Sequence, residues 1–372
     1  MASGSRQGKL RVGVVSANWG MRAHLPAWHA TGDAEVKAVC TSRRQTAEAA
    51  ARRYDVETPW WDAAAMCADP DLDIIDVGTR PDLRAPMVLA ALANRKHVFA
   101  GANFAPDLAT ARIMRDAARE AGTICALDSV FPWQPAHREV KRLLDAGDTG
   151  RPVAVCARLH ISHFAAPGAG GAGWKWFGIR KHGASAMRNL GTHSLHLLTW
   201  LLGPVEAVAA QATIAKRQWY FPDGSTVRPE VEDTAHIMLR FASGVMGTLC
   251  LSWSSPAKSG WRMELTCERS TLVTIDGAGF PCGARVRLYR GTDGGLLSEP
   301  ASIPCSDGVS FESPTQVPQI PDIAHAAAHM IKSIRYGGRA LPDFEDAFHV
   351  EAILDAARQA AETRSWMEVV RS

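Results

Sequence analysis

The chain has 372 residues, 47% of them hydrophobic and 21% charged, which suits a globular protein of two domains, each with its own core. Its formal net charge of +3 is small and evenly spread, so nothing points to nucleic acid or an anionic membrane surface as a partner. Nowhere do apolar residues run to the roughly 18 needed to span a bilayer.

Eight cysteines are scattered without a C-x-x-C pair, mostly inside apolar strands. Reduced, buried thiols in a cytoplasmic protein are expected, with no metal site. Residues 1–9 contain no apolar stretch of the signal-peptide kind.

In chain order, the first element is the most telling. Residues 10–15 form an apolar, β-branched run, and Ser16-Ala17-Asn18-Trp19-Gly20-Met21 leads from it toward a helix. This is the layout of a dinucleotide-binding βα turn. In its fingerprint, G-x-G-x-x-G, the glycines permit a tight turn, close backbone approach to pyrophosphate, and close packing of helix on strand. Counting back from His24-Leu25-Pro26 places those positions on Ser16, Asn18 and Met21. Asn tolerates left-handed backbone, and the Ser16 hydroxyl is able to donate to phosphate. Met21 is the poorest substitute, with Gly20 beside it to relieve crowding. Taken alone, the stretch also reads as an ordinary strand, turn and helix.

The wider pattern decides between these readings. Strands at 11–15, 35–40, 74–77, 97–100 and 123–127 alternate with helices at 21–31, 45–54, 61–67, 83–94 and 108–121. That alternation is the signature of a parallel sheet covered by helices. A further helix follows at 132–147, and then longer strands joined by Gly- and Pro-rich turns, at 152–163, 205–215, 234–241, 245–253, 263–267 and 272–275, with helices at 187–202, 323–336 and 344–363. The expected fold class is therefore an α/β Rossmann-type N-terminal domain, 1–127, and an α+β C-terminal domain with an open, mainly antiparallel sheet, 128–372. The glycine-rich run 165–173 reads as a mobile loop ahead of Trp174-Lys175-Trp176-Phe177.

These landmarks together resemble the Gfo/Idh/MocA oxidoreductases over nearly the full length. They are the first turn with His24-Leu25-Pro26-Ala27, Asp73-Ile74-Ile75-Asp76-Val77, Lys96-His97-Val98, Gly150, Gly191-Thr192-His193 and Leu341-Pro342-Asp343-Phe344. The resemblance implies hydride transfer between NAD(P) and a sugar, polyol or related alcohol or carbonyl. It also implies a homo-oligomer, dimer or tetramer, with contacts through the open sheet.

Two departures stand out. Where the family carries Glu-Lys-Pro, this chain has Gly101-Ala102-Asn103, so the amine near nicotinamide and substrate is missing. Where the family carries Asp-x-Gly-x-His-x-x-Asp, it has Asn189-Leu190-Gly191-Thr192-His193-Ser194-Leu195-His196, keeping only Gly191 and His193. General acid–base help contributes about 10² to 10⁴-fold, so another group has to replace the lysine. His193 is the first candidate for the proton carrier, because an unperturbed imidazole titrates near operating pH. Lys181 is the loop cation chosen to assist it, with His196, Lys175 and His182 also in reach of the argument. Asn103, Trp133, Trp176, Arg180 and Asn189 are the expected substrate contacts. The bland alternatives are a helix-start histidine bonded to backbone and a solvated basic loop.

After the second strand, Thr41-Ser42-Arg43-Arg44 has no acid until Glu48. An acid there would bond the ribose 2′-hydroxyl, whereas arginine accommodates a 2′-phosphate. NADP is therefore expected ahead of NAD, held by Ser42, Arg43 and Arg44, although the arginines also suit a solvated helix start. Ser16, Ala17, Asn18, Trp19, Met21, Thr79, Arg80, Arg84 and Gly101 are expected to border the cofactor. Trp19, Trp133, Trp174 and Trp176, among twelve tryptophans, would suit a flat or apolar small-molecule ligand if they cluster. Two other functions fit the residues: an NAD(P)-binding regulatory protein without catalysis, and a lyase that uses its cofactor only transiently.

Overall fold

A computed structural model describes residues 8–167, 171–257, 259–292, 294–299 and 317–370. Their contacts cluster into two units. The first comprises residues 8–101, 112–128 and 317–344, and the second 102–111, 129–299 and 345–370. The linear division at 127/128 is thus crossed twice: the helix expected at 323–336 belongs with the first unit, and residues 102–111 with the second. Residues 168–170 of the glycine-rich run, and Cys305, lie outside the described residues.

The first unit is a six-stranded, all-parallel sheet ordered β3-β2-β1-β4-β5-β6. Its strands are β1 (Leu10–Val15), β2 (Ala34–Cys40), β3 (Thr58–Trp60), β4 (Ile74–Val77), β5 (His97–Ala100) and β6 (Cys125–Leu127). β4 is buried along its whole length, as a central strand covered on both faces must be. β3 was not foreseen, because Pro59 argues against a strand; it is tolerated here because β3 is the sheet edge. The helices between are α1 (Leu25–Ala30), α2 (Arg44–Tyr54), α3 (Ala63–Cys67), α4 (Pro81–Ala93) and α5 (Leu108–Ala121). The helix expected at 61–67 starts two residues later because the Asp62 carboxylate accepts from the Ala64 and Ala65 N–H groups and caps it. Residues 21–31 are also not one helix: a π turn, Gly20–His24, precedes a short α1.

The second unit follows with α6 (Pro135–Asp145), β7 (Pro152–His160), α7 (Ala186–Leu202), β8 (Val205–Thr213), β9 (Trp219–Tyr220), β10 (Thr226–Val227), β11 (Thr234–Phe241), β12 (Met246–Ser252), β13 (Gly260–Cys267), β14 (Thr271–Asp276) and β15 (Arg287–Gly291). Next come α8 (Ile320–Tyr336), which packs on α1 in the first unit and pairs Arg335 with Asp33 at 2.8 Å, α9 (Phe344–Thr363) and β16 (Met367–Glu368). The eight-stranded sheet runs β15-β14-β13-β7-β12-β11-β8-β16, antiparallel except for β7 with β12. One face of β11 is buried and the other exposed in strict alternation, and Val153, Met238 and Met246 are exposed on this sheet. The short β9, β10, β15 and β16 escaped the sequence pattern because two to five residues carry too little periodicity.

α7 carries Asn189, Gly191, His193 and His196. Ser185 caps it by accepting from the Arg188 N–H at 3.1 Å, and Gly191 lets it pack closely: a Cβ there would lie 3.0 Å from Leu354 and 3.4 Å from Leu251. Among the described residues, seven cysteines are unpaired thiols, five buried and Cys156 exposed. Among them, too, no helix is long and apolar enough to cross a membrane.

Candidate active site

In the first unit the strand order reverses between β1 and β4, which is where ligands bind at the carboxyl ends of such sheets. The turn after β1 is built around one hydroxyl. Ser16 Oγ donates to the Gly78 carbonyl at 2.9 Å and accepts from the N–H groups of Asn18 at 3.2 Å and Gly20 at 3.1 Å. Its proton is thus directed at backbone, not outward as expected for a phosphate contact.

The close approach assigned to the third fingerprint position belongs to Gly20. A Cβ on Gly20 would lie 2.6 Å from Ser16 Cβ, and one on Gly78 only 2.7 Å from Gly20 Cα. Met21, expected at the cofactor, is instead 3% exposed and part of the core. The π turn explains the displacement, since it holds one residue more per turn than an α-helix and counting back through it lands one residue late. Ala17 and Asn18 are exposed and Trp19 half-buried, so these three form the outer rim of the turn. Replacing Gly78 by alanine forces two backbones apart and is expected to cost about 1–3 kcal/mol, read by denaturant unfolding of the full chain; unchanged stability would show that the two backbones can separate without loss.

At the end of β2, Ser42 and Arg43 are exposed, and the Arg43 guanidinium makes no hydrogen bond or ion pair among the described residues. Arg44 differs: its Nε donates to Glu48 at 2.8 Å and its guanidinium sits 5.2 Å from the Trp61 ring. Arg80 pairs with Asp82 at 3.1 Å. Arg84 is 1% exposed and donates to the Thr79 carbonyl, while its Nη2 lies 3.0 Å from where a Gly101 Cβ would be. It therefore fills the space beside Gly101 from within.

A constellation that escaped the sequence reading lies beneath this turn. His24, fully buried, donates through Nδ1 to Asp76 at 2.8 Å and through Nε2 to Asp128 at 2.7 Å. The Trp28 indole donates to Asp76 at 2.7 Å and the Trp19 indole to Asp128 at 2.9 Å. Burial opposes charge on His24, but the two carboxylates outweigh it and hold the imidazolium up to about 10. The available signal was two acids in apolar strand sequences, Asp76 within β4 and Asp128 after β6.

In the second unit, His193 is half-buried on α7, stacked on Phe131 with centroids 5.6 Å apart and edge-on to Phe280 at 5.1 Å. Asn189 Oδ1 accepts from Asn103 Nδ2 at 3.1 Å and from the Ser185 N–H at 3.2 Å. Asn103 also donates to the Gly183 carbonyl at 2.9 Å and is 1% exposed. The two carboxamides thus tie residues 102–111 to α7, and Asn103 is a buried brace where a substrate contact was expected. Arg188 extends the brace, bonding the Ala105 carbonyl at 2.6 Å and the buried Glu351 carboxylate at 2.5 Å.

The loop cations separate into two kinds. Lys175 pairs with Asp223 at 2.5 Å and lowers that carboxyl to about 2, helped by Ser225. Arg180 donates to the Glu230 carbonyl at 2.5 Å. Lys181 is exposed and makes no hydrogen bond or ion pair among the described residues. His196 is 3% exposed and sits in the core. Trp133 is 5% exposed beneath Arg138, and Trp176 is half-buried, edge-on to Phe177 at 4.3 Å. Beyond Trp176, Phe177 stacks on Trp253 at 5.4 Å and Phe164 on Trp219 at 3.8 Å, an aromatic core with His163 against it, whose imidazole burial pushes down to about 4. Glu232, also unforeseen, has its carboxyl raised by burial.

Residues 10–129 match the oxidoreductase family with an NAD-binding Rossmann fold, and residues 137–273 match the GFO/IDH/MocA C-terminal domain. The chain belongs to the Gfo/Idh/MocA oxidoreductase family. This NAD-binding oxidoreductase is 28% identical over 355 residues to the D-apiose dehydrogenase of Paraburkholderia graminis, covering 94% of this chain and 86% of that one. It is 22% identical over 400 residues to the levoglucosan dehydrogenase of Pseudarthrobacter phenanthrenivorans, covering 97% and 98%. Among solved structures, a levoglucosan dehydrogenase in complex with NADH superposes with a TM-score of 0.86 at 21% identity, covering 98% of this chain and all of that one.

The turn of this Gfo/Idh/MocA member fits a dinucleotide. The facing Gly20 and Gly78 backbones leave no Cβ in the cradle, and the Ala17 and Trp19 N–H groups make no hydrogen bond among the described residues. Two backbone donors are thus left on the exposed rim, where pyrophosphate needs them.

Proposed function

We propose that this chain is an NADP(H)-dependent oxidoreductase that interconverts an alcohol and a carbonyl on a sugar-like small molecule, with His193 as the proton carrier. The observation that carries the reading is His193 itself: in a motif stripped of both acids, and with Ala102 in the lysine position, it remains a half-buried imidazole between Phe131 and Phe280. Lys181, the exposed cation beside α7's start, supplies positive charge toward a developing alkoxide. Asn189, Trp133, Trp176 and Arg180 contribute binding contacts, with Trp176 and Trp133 favouring substrates that carry an apolar or aromatic face. Ala17, Asn18 and Trp19 would hold the pyrophosphate. The dinucleotide, when bound, supplies or accepts the hydride. A sugar-like class is supported by relatives that are named D-apiose and levoglucosan dehydrogenases. A homo-oligomer, dimer or tetramer, joined through the exposed face of the second unit's sheet is part of the same proposal.

The preference for the 2′-phosphate rests on Arg43, exposed and unengaged at the end of β2, with the nearest acid, Glu48, bonded to Arg44. Arg43→Ala is expected to weaken NADP⁺ binding by about 10 to 100-fold, the worth of a charged hydrogen bond, and to leave NAD⁺ within about twofold. Calorimetric titration of both cofactors checks it; equal losses for both would remove the NADP assignment. Turnover is tested by following nicotinamide absorbance across a panel of aldoses, ketoses, anhydrosugars and polyols. Tight NADP(H) binding with no turnover anywhere in that panel would leave a nucleotide-binding protein without redox chemistry.

A further inference from the structure

We propose that the buried chain Asp76–His24–Asp128 is a positioning device that locks the Trp19 indole at the dinucleotide turn, making Trp19 a fixed part of the cofactor cleft. The inference rests on the dinucleotide reading given above. Both ring nitrogens of His24 face carboxylates, at 2.8 and 2.7 Å. The ring therefore cannot flip or lose a proton without breaking an ion pair. Phe99 meets it edge-on at 5.3 Å and closes the remaining side.

The chain spans the sheet. Asp76 lies near the end of β4, Asp128 directly after β6, and His24 in the π turn that continues from β1. Each carboxylate ends on an indole. Trp28, on Asp76, is 1% exposed and belongs to the core. Trp19, on Asp128, is half-buried and stands on the turn whose neighbouring amides remain open. Of the five side chains, Trp19 alone is thus partly exposed, and the other four are buried and fix its orientation.

Burying two carboxylates and an imidazole is weak evidence for stability, because desolvation offsets much of the attraction; a defined geometry is the better-attested return. A side chain held in its binding orientation beforehand loses less freedom when ligand arrives. Asp128 Oδ2 accepts from both His24 and Trp19. An asparagine oxygen in the same place can accept both bonds as well, so charge and geometry can be separated.

The test is calorimetric titration of the full chain with NADP⁺ and NAD⁺, for wild type, Trp19→Phe, Asp128→Ala, the double variant and Asp128→Asn. Trp19→Phe keeps an aromatic ring, smaller than the indole, and removes the donor. It is expected to weaken binding about 5 to 10-fold without lowering the thermal midpoint. Asp128→Ala should weaken it by a similar factor, and the double variant no further, because both remove one interaction. Asp128→Asn should bind within about twofold of wild type. If Asp128→Ala fails to fold, Trp19→Phe against Asp128→Asn still decides, and the Trp19 indole N–H resonance should be retained in the asparagine variant alone. Additive losses, or wild-type affinity in Trp19→Phe, would overturn the positioning role while leaving the cofactor reading intact. No binding of either dinucleotide by wild type would overturn both.

Discussion

Replacing His193 by alanine is expected to lower kcat by about 10² to 10⁴-fold on whichever sugar-like substrate turns over, the usual worth of a positioned acid–base group. Affinity for NADP⁺ should stay within about threefold, because the turn that would hold the pyrophosphate is built by Ser16, Gly20 and Gly78 without His193. The loss should fall near the upper end of that range, since no lysine is available at position 102 and Asn189 cannot exchange a proton. His193→Gln, which preserves some hydrogen bonding, should recover substrate affinity without recovering rate. Steady-state kinetics over both variants separates the contributions. An alanine variant with more than about a tenth of the wild-type kcat would move the proton to another group, with Lys181 and Glu232 the next to examine.

The largest expected effect on stability is His24→Leu, at about 3–5 kcal/mol, because two buried carboxylates lose the cation between them. The same residue sets a pH dependence with a definite sign. Its folded value near 10 lies above the unfolded 6.5, so between them the folded state binds more protons. Its stabilisation is complete below 6.5 and is lost as pH rises toward 10, by at most about 1.4 kcal/mol per pH unit. On the acid side the sign reverses. His137 and His163 are held neutral by burial, with values lowered to about 4, so their contribution is complete above 6.5 and is lost as pH falls toward 4. Urea unfolding between pH 5 and 7.5, below the range of free thiols, should show a maximum near 6.5. A wild-type profile that rises from pH 6.5 to 7.5 would contradict the charged state assigned to His24.

The two-layer grammar of the chain was readable because its cause is local: β-branched runs and amphipathic stretches alternate at fixed spacing, and both expected sheets are present. What escaped depended on geometry that residue types do not encode. The π turn at Gly20–His24 shifted the fingerprint by one residue, moving the close-packing role from Met21 to Gly20. Arg84 was expected to border the cofactor, and its burial where Gly101 leaves room depends on a neighbour that residue type does not reveal. Asn103 pointed to substrate by its place in the motif, but its carboxamide joins Asn189 and Gly183. The acids flanking His24 lie 52 and 104 residues from it in sequence, so only the fold brings the three together. The unengaged state of Arg43 and Lys181, against the paired Arg44, Lys175 and Arg180, was likewise a matter of neighbours contributed by other elements.

The most direct test of the central claim is deuteride tracing. The chain is incubated with NADPH carrying two deuterium atoms at nicotinamide C4, one on each face, and with the ketose or anhydrosugar ketone that gives the fastest absorbance change, and the product is analysed by mass and NMR. Deuterium bonded to the former carbonyl carbon, with transfer retained but slowed in His193→Ala, is the predicted result. Product free of deuterium, or deuterium remaining entirely on the dinucleotide while product forms, would contradict hydride transfer by this protein.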